Sequence, residues 1–163
     1  MTEYAKLLQL LKAADVEFIV VGGLAGIAHG VARFTKDVDV VYRRSDENYQ
    51  RLVNTLANHS PYLRGAPKGL PFIWDARTIK QGLNFTLITD LGEIDLLGEI
   101  AGGDYEKLLP HSEELTVYGL KCRCLSLQKL IDVKRAAGRP KDLEAIAELE
   151  ALLEERDALG SEN

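Results

Sequence analysis

The spacing of apolar residues predicts a helix at the start of the chain and a buried strand after it. Over residues 2 to 14 the apolar positions recur at helical intervals, and Thr2 is the candidate N-cap. These positions are Tyr4, Leu7, Leu8 and Leu11. A β-branched run over residues 17 to 21 then stops at Gly22-Gly23, which is typical of a strand that ends in a tight turn.

A helix, a strand and another helix are predicted between residues 24 and 57. The first helix follows the two glycines and has its apolar positions at Leu24, Ile27, Ala28 and Val31. The strand runs from about Asp37 to Tyr42. Ser45 can cap the next helix, whose apolar stripe is Tyr49, Leu52, Val53, Leu56 and Ala57.

The segment from Ser60 to Gly82 shows no clear period. It contains three prolines and three glycines, namely Pro61, Pro67, Pro71, Gly65, Gly69 and Gly82. We expect a long, mobile connection here, and loops of that length are often functional. The single tryptophan, Trp74, lies in this segment; core packing is favoured for it over stacking on a nucleobase.

Two hairpins and two helices are predicted for the rest of the chain. The first hairpin joins residues 84 to 89 and 93 to 97, and the second covers residues 115 to 125 with its turn near Tyr118-Gly119. Ser126 caps a helix that reaches about Ala137, and Pro140 opens a last helix to about Arg156. We expect one domain over residues 1 to 157 and a frayed C-terminal tail over residues 158 to 163.

This order of elements predicts an α+β fold, with a mixed β-sheet flanked by helices. With 163 residues, 46% hydrophobic and 28% charged, the composition excludes disorder, collagen and coiled coil. No apolar run approaches the ~18 residues of a membrane helix and residues 1 to 15 lack a signal-peptide pattern, so we expect a cytoplasmic protein without a membrane partner. The net charge of −5 argues against a protein whose whole surface binds phosphates, but it is compatible with a local basic groove.

The two cysteines, Cys122 and Cys124, are too few for a disulfide framework or a four-ligand zinc site. On a strand they share one face, and plain packing is the favoured explanation. His29 is expected on the polar side of its short helix. It has no partner at a metal-ligand spacing, so we assign it neither metal binding nor base catalysis.

Asp37-Val38-Asp39-Val40 carries the clearest chemical signal. Two carboxylates that lie two apart on a strand share a face, and their like charges raise each other's pKa. A divalent cation with oxygen ligands would neutralise them, and Mg²⁺ fits best because it also binds substrate phosphates. Gly22-Gly23 would let a phosphate approach the backbone closely, although either motif alone is also common turn or surface sequence.

In this order and spacing, Val21, Gly22, Gly23, Asp37 and Asp39 resemble the signature of the nucleotidyltransferase superfamily, which includes DNA polymerase beta and the kanamycin nucleotidyltransferase. The resemblance implies a nucleotidyltransferase-like fold and a third carboxylate on a later strand. Asp95 is the first choice for that carboxylate. Glu93 lies on the same face by alternation and is the alternative, and an exposed acid on an edge strand would explain either without function.

The chain also looks like the minimal nucleotidyltransferases related to abortive-infection and toxin-antitoxin enzymes. The matching motifs are Gly22-Gly23-Leu24-Ala25, His29-Gly30, Arg33-Phe34-Thr35-Lys36-Asp37, Lys134 and Arg139-Pro140-Lys141-Asp142. Periodicity supports Lys134 independently, because it continues the apolar stripe of its helix. Each of these residues also has a non-functional explanation. The Lys134 side chain could extend along the protein surface to place its ammonium in water, and Asp142 could simply favour the helix dipole. Arg33 and Lys36 could be solvated surface residues.

The resemblance implies a metal-dependent enzyme that moves a nucleoside monophosphate from an NTP to an acceptor hydroxyl and releases pyrophosphate. The implied metal ligands are Asp37, Asp39 and Asp95, with Mg²⁺ as the ion and Mn²⁺ as the alternative. The implied nucleotide-binding residues are Gly22, Gly23, Arg33, Thr35, Lys36 and Asp142, with Lys134 as a catalytic cation. The acceptor is an RNA end, a protein or a small molecule, and a partner protein or second copy could complete the site. A degenerate nucleotidyltransferase-fold binding module and a structural cation protein are the alternatives.

Overall fold

A computed structural model describes residues 2 to 161 of the chain. Its helices are α1 (Tyr4–Ala13), α2 (Gly22–Ala28), α3 (Asp46–Leu56), α4 (Ala76–Gln81), α5 (Tyr105–Leu108), α6 (Leu127–Ala137) and α7 (Leu143–Ser161). Its strands are β1 (Phe18–Val21), β2 (Asp37–Tyr42), β3 (Tyr62–Leu63), β4 (Phe85–Thr89), β5 (Gly92–Leu97), β6 (Glu99–Ile100), β7 (Gly103–Asp104), β8 (Ser112–Val117) and β9 (Leu120–Leu125). Short 3₁₀ turns precede or follow several of these elements.

Seven of these strands form a mixed sheet in the order β3-β4-β5-β2-β1-β9-β8. The pairs β2–β5 and β1–β9 are parallel, and the other neighbours are antiparallel. All four residues of the central strand β1 are buried, because elements cover it on both faces. The predicted α+β fold with a mixed sheet flanked by helices is therefore confirmed.

The register of the central strands positions the acidic residues. In the parallel pair β2–β5, Asp37 lies opposite Glu93 and Asp39 lies opposite Asp95. In the antiparallel pair β1–β2, Val21 lies opposite Asp39, so the chain enters α2 beside this carboxylate. Three elements that are distant in sequence thus meet at one end of the sheet.

Serine caps were predicted correctly for two helices. Ser45 accepts a hydrogen bond from the backbone N–H of Asn48, and Ser126 accepts one from Lys129. Thr2 is not a cap: Glu3 is the N-cap residue of α1, and the Thr2 hydroxyl donates to the Lys36 carbonyl at 2.6 Å. The backbone N–H of Glu93 donates to the same hydroxyl, so Thr2 joins the starts of β2 and β5 instead.

The prediction of one irregular connection over residues 60 to 82 was wrong. β3 pairs with β4 at the edge of the sheet, and Asp75 caps α4 by accepting from the backbone N–H of Thr78 at 2.8 Å. A strand of two residues is too short for any period to reveal it. Trp74 packs beside Phe72 and Phe85, with ring centroids 6.3 and 6.2 Å away, as the favoured packing interpretation expects.

The C-terminal part contains further departures from the sequence prediction. The short elements β6, β7 and α5 between residues 99 and 108 were not predicted. Pro140 opens a 3₁₀ turn, Pro140–Asp142, and α7 follows it and continues to Ser161. The described part of the predicted tail, residues 158 to 161, is therefore helical, and residues 162 and 163 lie outside the described chain. None of the helices among the described residues is long and apolar enough to span a membrane.

Candidate active site

Three carboxylates converge where β2 and β5 run side by side. Asp37, Asp39 and Asp95 each offer an oxygen, and these oxygens all lie within 4.8 Å of one another. The alternation of the strand directs Val38 and Val40 to the opposite face, where both are fully buried. The structure therefore brings together the two carboxylates of the Asp-x-Asp motif and the first choice for the third. Glu93 lies on the same strand as Asp95, outside this group of three.

Asp39 occupies the least favourable environment for a negative charge. Its Oδ1 is buried and has no hydrogen-bond partner among the described residues. Burial, contact with Asp95 and the charge of Asp37 raise the pKa of Asp39 to about 8, although Arg64 opposes the shift. Burial and the charge of Asp95 also raise the pKa of Asp37. An unpaired buried carboxylate oxygen facing two other acids is the donor arrangement that a hard cation satisfies.

Arg64 supplies a positive charge to this cluster, and the sequence reasoning missed it. Its guanidinium lies 2.8 Å from Asp95 Oδ1, 3.5 Å from Asp37 Oδ2 and 3.6 Å from Glu93 Oε1. Arg64 directly follows β3, within the segment that the sequence predicts to be irregular. The sequence did contain one indication of such a residue. Paired acids on a core strand need positive charge nearby, and a basic side chain of the chain itself can supply part of it.

Two glycines make room beside the carboxylates. Gly22 has a φ of +64°, and a Cβ atom there would lie 2.3 Å from Asp39 Oδ2. A Cβ atom at Gly23 would lie 3.0 Å from the Thr35 hydroxyl oxygen. The backbone of α2 therefore begins in close contact with β2 and with the residues just before it, and only glycine fits at Gly22 without displacing Asp39.

A cavity of about 350 Å³ opens beside Asp39 and Asp95. Lys134 of α6 lines it together with Gly22, and the Lys134 side chain is only 19% exposed. The periodicity of α6 thus predicted correctly that Lys134 faces inward. Its carboxylate partner is Asp142, at 3.9 Å, which also accepts a hydrogen bond from Arg139 at 2.7 Å.

A smaller cavity of about 160 Å³ meets the first at Gly22 and Lys134. Its other charged residues are Arg33, Lys141 and Asp142. The Arg33 guanidinium is bound to α7, because it donates to both carboxylate oxygens of Glu148 at 2.8 and 3.0 Å. The segment before β2 is thereby fastened to the C-terminal helix.

Lys36 is not brought together with these residues. It is exposed and lines a separate cavity of about 430 Å³, which it shares with Thr2, Tyr4 and Glu93. Thr35 lies between the two regions, and its hydroxyl donates to the Asp37 carbonyl at 3.3 Å. Of the predicted nucleotide-binding residues, Gly22, Gly23, Arg33 and Asp142 thus share one cavity, whereas Lys36 faces another.

His29 is not on a polar surface, as the sequence pattern indicated, but is only 4% exposed. Its Nε2 lies 2.7 Å from the Leu125 carbonyl, and Arg156 of α7 donates to its Nδ1 at 3.1 Å. The tautomer with the proton on Nε2 satisfies both contacts. His29 therefore joins α2, β9 and α7.

Cys122 and Cys124 are both buried on one face of β9, as the packing interpretation predicted. Burial raises the pKa of both thiols, to about 12 for Cys124. A thiol held in its protonated form by an apolar environment is a poor nucleophile and a poor metal ligand. Both cysteines belong to the hydrophobic core.

No family model and no curated protein matches the sequence, but solved structures do. TM1012 of Thermotoga maritima, proposed to be a nucleotidyltransferase, is 20% identical over 95% of this chain and 96% of that chain, with a TM-score of 0.53. The solution structure of the antibiotic-resistance factor ANT(2'')-Ia is 15% identical over 98% of this chain and 93% of that chain, with a TM-score of 0.58. Likeness at such low identity concerns the backbone architecture. The chain has the nucleotidyltransferase fold.

Proposed function

We propose that this chain is a metal-dependent nucleotidyltransferase, which transfers a nucleoside monophosphate from an NTP to a hydroxyl group of an acceptor. The observation that carries the proposal is the convergence of Asp37, Asp39 and Asp95, with one buried oxygen of Asp39 left without a partner. Solvated surface acids would not be gathered on core strands, and burial raises the pKa of Asp37 and of Asp39. The fold shared with TM1012 and ANT(2'')-Ia supports the same proposal.

The donor set fits a hard divalent ion. All three candidate ligands are carboxylate oxygens, which suit Mg²⁺ and also Mn²⁺. Such an ion, when bound, would polarise phosphate oxygens and favour deprotonation of the attacking hydroxyl. Asp37 and Asp39 would hold it from β2, and Asp95 from β5.

The chain's other residues are proposed to bind the nucleotide. Gly22 and Gly23 let the backbone of α2 begin against Asp39 and Thr35, where its N–H groups would meet a phosphate. Lys134 lines the cavity beside the carboxylates, and its distance of 3.9 Å from Asp142 leaves its N–H donors available for phosphate oxygens. Asp142 would then act by holding this ammonium in place. Arg33 and Thr35 would contact the phosphates from the segment before β2.

The proposed reaction forms one bond and breaks another at the α-phosphorus of the NTP. The acceptor oxygen bonds to this phosphorus, the bond to the oxygen that bridges the α- and β-phosphates breaks, and pyrophosphate leaves. The hydroxyl proton is released to solvent. The acceptor is an RNA end, a protein or a small molecule, and a partner protein or a second copy of the chain would complete its binding surface.

Incubation with NTPs labelled at the α-phosphate, Mg²⁺ and cell extract tests this function. Wild-type protein is expected to transfer label from the α position and none from the γ position. Asp39→Asn should reduce transfer at least ~100-fold, because the variant removes the negative charge of a carboxylate that would hold the metal ion in the transition state. Asp132→Asn, which changes an exposed acid on α6, is the matched control and should retain activity.

The other outcomes separate the alternatives. NTP binding without any transfer would contradict the enzyme and support a binding module with this fold. A response to Mg²⁺ that NTP does not alter would support a structural cation protein. Transfer by Asp39→Asn at the wild-type rate would remove Asp39 from the assigned role.

A further inference from the structure

The side chain of Arg64 lies across β4 and reaches the two acidic strands. Its backbone N–H donates to the Thr86 carbonyl at 2.9 Å, which fixes the start of the side chain. At the other end, Nη2 donates to the Leu87 carbonyl at 3.0 Å and to Asp95 Oδ1 at 2.8 Å. A side chain that is fixed at its backbone and at Nη2 presents its guanidinium in a defined direction, although Nε has no hydrogen-bond partner among the described residues.

The contacts of Arg64 with the acids are unequal. Asp95 receives a hydrogen bond, whereas Asp37 and Glu93 lie at the longer distances of 3.5 and 3.6 Å. The bond occupies one oxygen of Asp95 and leaves the other oxygen for a different partner. A carboxylate that is bound in this way presents its second oxygen in a fixed direction.

Asp39 is the acid of the cluster that Arg64 does not contact within 4.0 Å among the described residues. Its Oδ1 is the buried oxygen without a hydrogen-bond partner. Arg64 therefore contacts the other acids of the cluster and leaves Asp39 without a direct cationic partner among the described residues. A divalent ion shared by Asp39, Asp37 and Asp95 would supply the positive charge that Arg64 does not bring to Asp39.

We propose that Arg64 is a positioning residue, which orients the Asp95 carboxylate so that it shares one divalent ion with Asp37 and Asp39. The inference rests on the proposed function and adds to it a residue that acts through Asp95 and does not touch the substrate. Groups that hydrogen-bond to metal ligands typically change metal affinity or activity 10- to 100-fold when they are replaced.

A simple counter-ion would behave differently. If Arg64 only reduced repulsion among the acids, any positive charge at that position would serve equally. Removal of the charge would then make the cluster more negative and tighten its hold on a cation. Positioning instead depends on the planar guanidinium, whose Nη2 donates to both the Leu87 carbonyl and Asp95 while Nη1 lies near Asp37, a geometry that a lysine ammonium lacks.

The variants Arg64→Lys and Arg64→Met separate these two roles. Arg43→Lys is the matched control, because Arg43 also pairs with two acids, Glu17 and Glu106, but lies away from the carboxylate cluster. Mn²⁺ affinity is measured from the electron paramagnetic resonance signal of the free ion. Thermal unfolding without metal, and kcat and KM for NTP at saturating Mn²⁺, are measured on the same samples.

Positioning predicts that Arg64→Lys binds Mn²⁺ at least tenfold more weakly and has a similarly reduced kcat, while KM for NTP stays within twofold. Arg64→Met should also bind Mn²⁺ more weakly than the wild type, and Arg43→Lys should change neither quantity. Unchanged or tighter Mn²⁺ binding by Arg64→Lys would overturn the proposal. Tighter binding by Arg64→Met would do the same and would identify a counter-ion.

The Mn²⁺ measurement also separates this proposal from the proposed function. A wild-type protein that binds Mn²⁺ but transfers no nucleotide would contradict the proposed function, while the affinities of the variants would still decide the role of Arg64. Normal transfer and Mn²⁺ binding by Arg64→Lys would contradict only the positioning role. A wild-type protein that binds no Mn²⁺ would overturn both.

Discussion

Gly22 lies against Asp39 so closely that a Cβ atom at position 22 would be 2.3 Å from Asp39 Oδ2. The two residues are brought together because Val21 is opposite Asp39 in the β1–β2 register. The requirement for glycine at this position is therefore both steric and conformational, since Gly22 also has a φ of +64°. Asp39 can occupy its place in the carboxylate cluster only if the first residue of α2 has no side chain.

Gly22→Ala should lower the free energy of unfolding by more than backbone strain alone explains. A left-handed conformation costs a non-glycine residue ~1–2 kcal/mol, and the contact with Asp39 adds to that cost. Gly138→Ala is the control, because Gly138 has a φ of +63° and open space around its Cβ position. Chemical denaturation measures both variants, and equal losses of stability would contradict the contact with Asp39.

The stability of the cation-free protein should fall as the pH rises from about 4 to about 8. Burial and neighbouring acids raise the pKa of Asp39 to about 8 from its ordinary value of 3.8, so the folded protein holds a proton that the unfolded chain releases. The unfolded state then binds fewer protons in this range, and stability decreases with pH. Asp39→Asn should flatten this dependence and should be at least as stable as the wild type at pH 8. Thermal unfolding in the presence of a chelator measures both proteins, and parallel pH profiles would contradict the assignment.

Mg²⁺ and NTP together should raise the melting temperature more than either alone. A ligand that binds only the folded state stabilises it by mass action, ~2.7 kcal/mol at a concentration of 100 times Kd. NTP alone should have a small effect, because its charge meets the acids Asp37, Asp39 and Asp95 without a bridging cation. Differential scanning fluorimetry at saturating concentrations is the measurement. An equal shift with Mg²⁺ alone would argue against a nucleotide site.

Lys134→Met should weaken NTP binding roughly tenfold or more, which corresponds to one charge-assisted contact of ~1.5–3 kcal/mol. Stability should change little, because methionine keeps the apolar stem and Asp142 retains its hydrogen bond from Arg139. Lys129→Met, off the apolar stripe of α6, is the control. Isothermal titration calorimetry with Mg²⁺ and NTP measures both, and equal affinities would show that Lys134 only packs along the cavity wall.

The elements that were predicted correctly depend on residues close together in sequence. The β-branched run with alternating aspartates defined β2 with its observed bounds, Asp37–Tyr42, and the apolar stripe of α6 placed Lys134 inward. Ser45 and Ser126 cap their helices because a serine hydroxyl satisfies a backbone N–H within the same turn. Such features depend on neighbours a few residues away, which a single sequence displays directly.

The residues that were misjudged depend on distant partners. Thr2 is held by Lys36 and Glu93, and the burial of His29 depends on contacts with β9 and α7. Arg64 follows a strand of two residues, and its carboxylate partners are 27 to 31 positions away in sequence. None of these relationships leaves a periodic trace along the chain, so no spacing rule could have found them.

The fastening of Arg33 to Glu148 has a consequence for the order in which the ribosome delivers this protein. The two residues are separated by 115 positions, so α2, the acidic strands β2 and β5, and Arg64 all emerge before the helix that holds Arg33. A nascent chain that ends at α6 contains all three carboxylates but lacks the Glu148 carboxylate that holds Arg33. The carboxylates, Arg64 and Arg33 are therefore all synthesised before the helix that holds Arg33 in place.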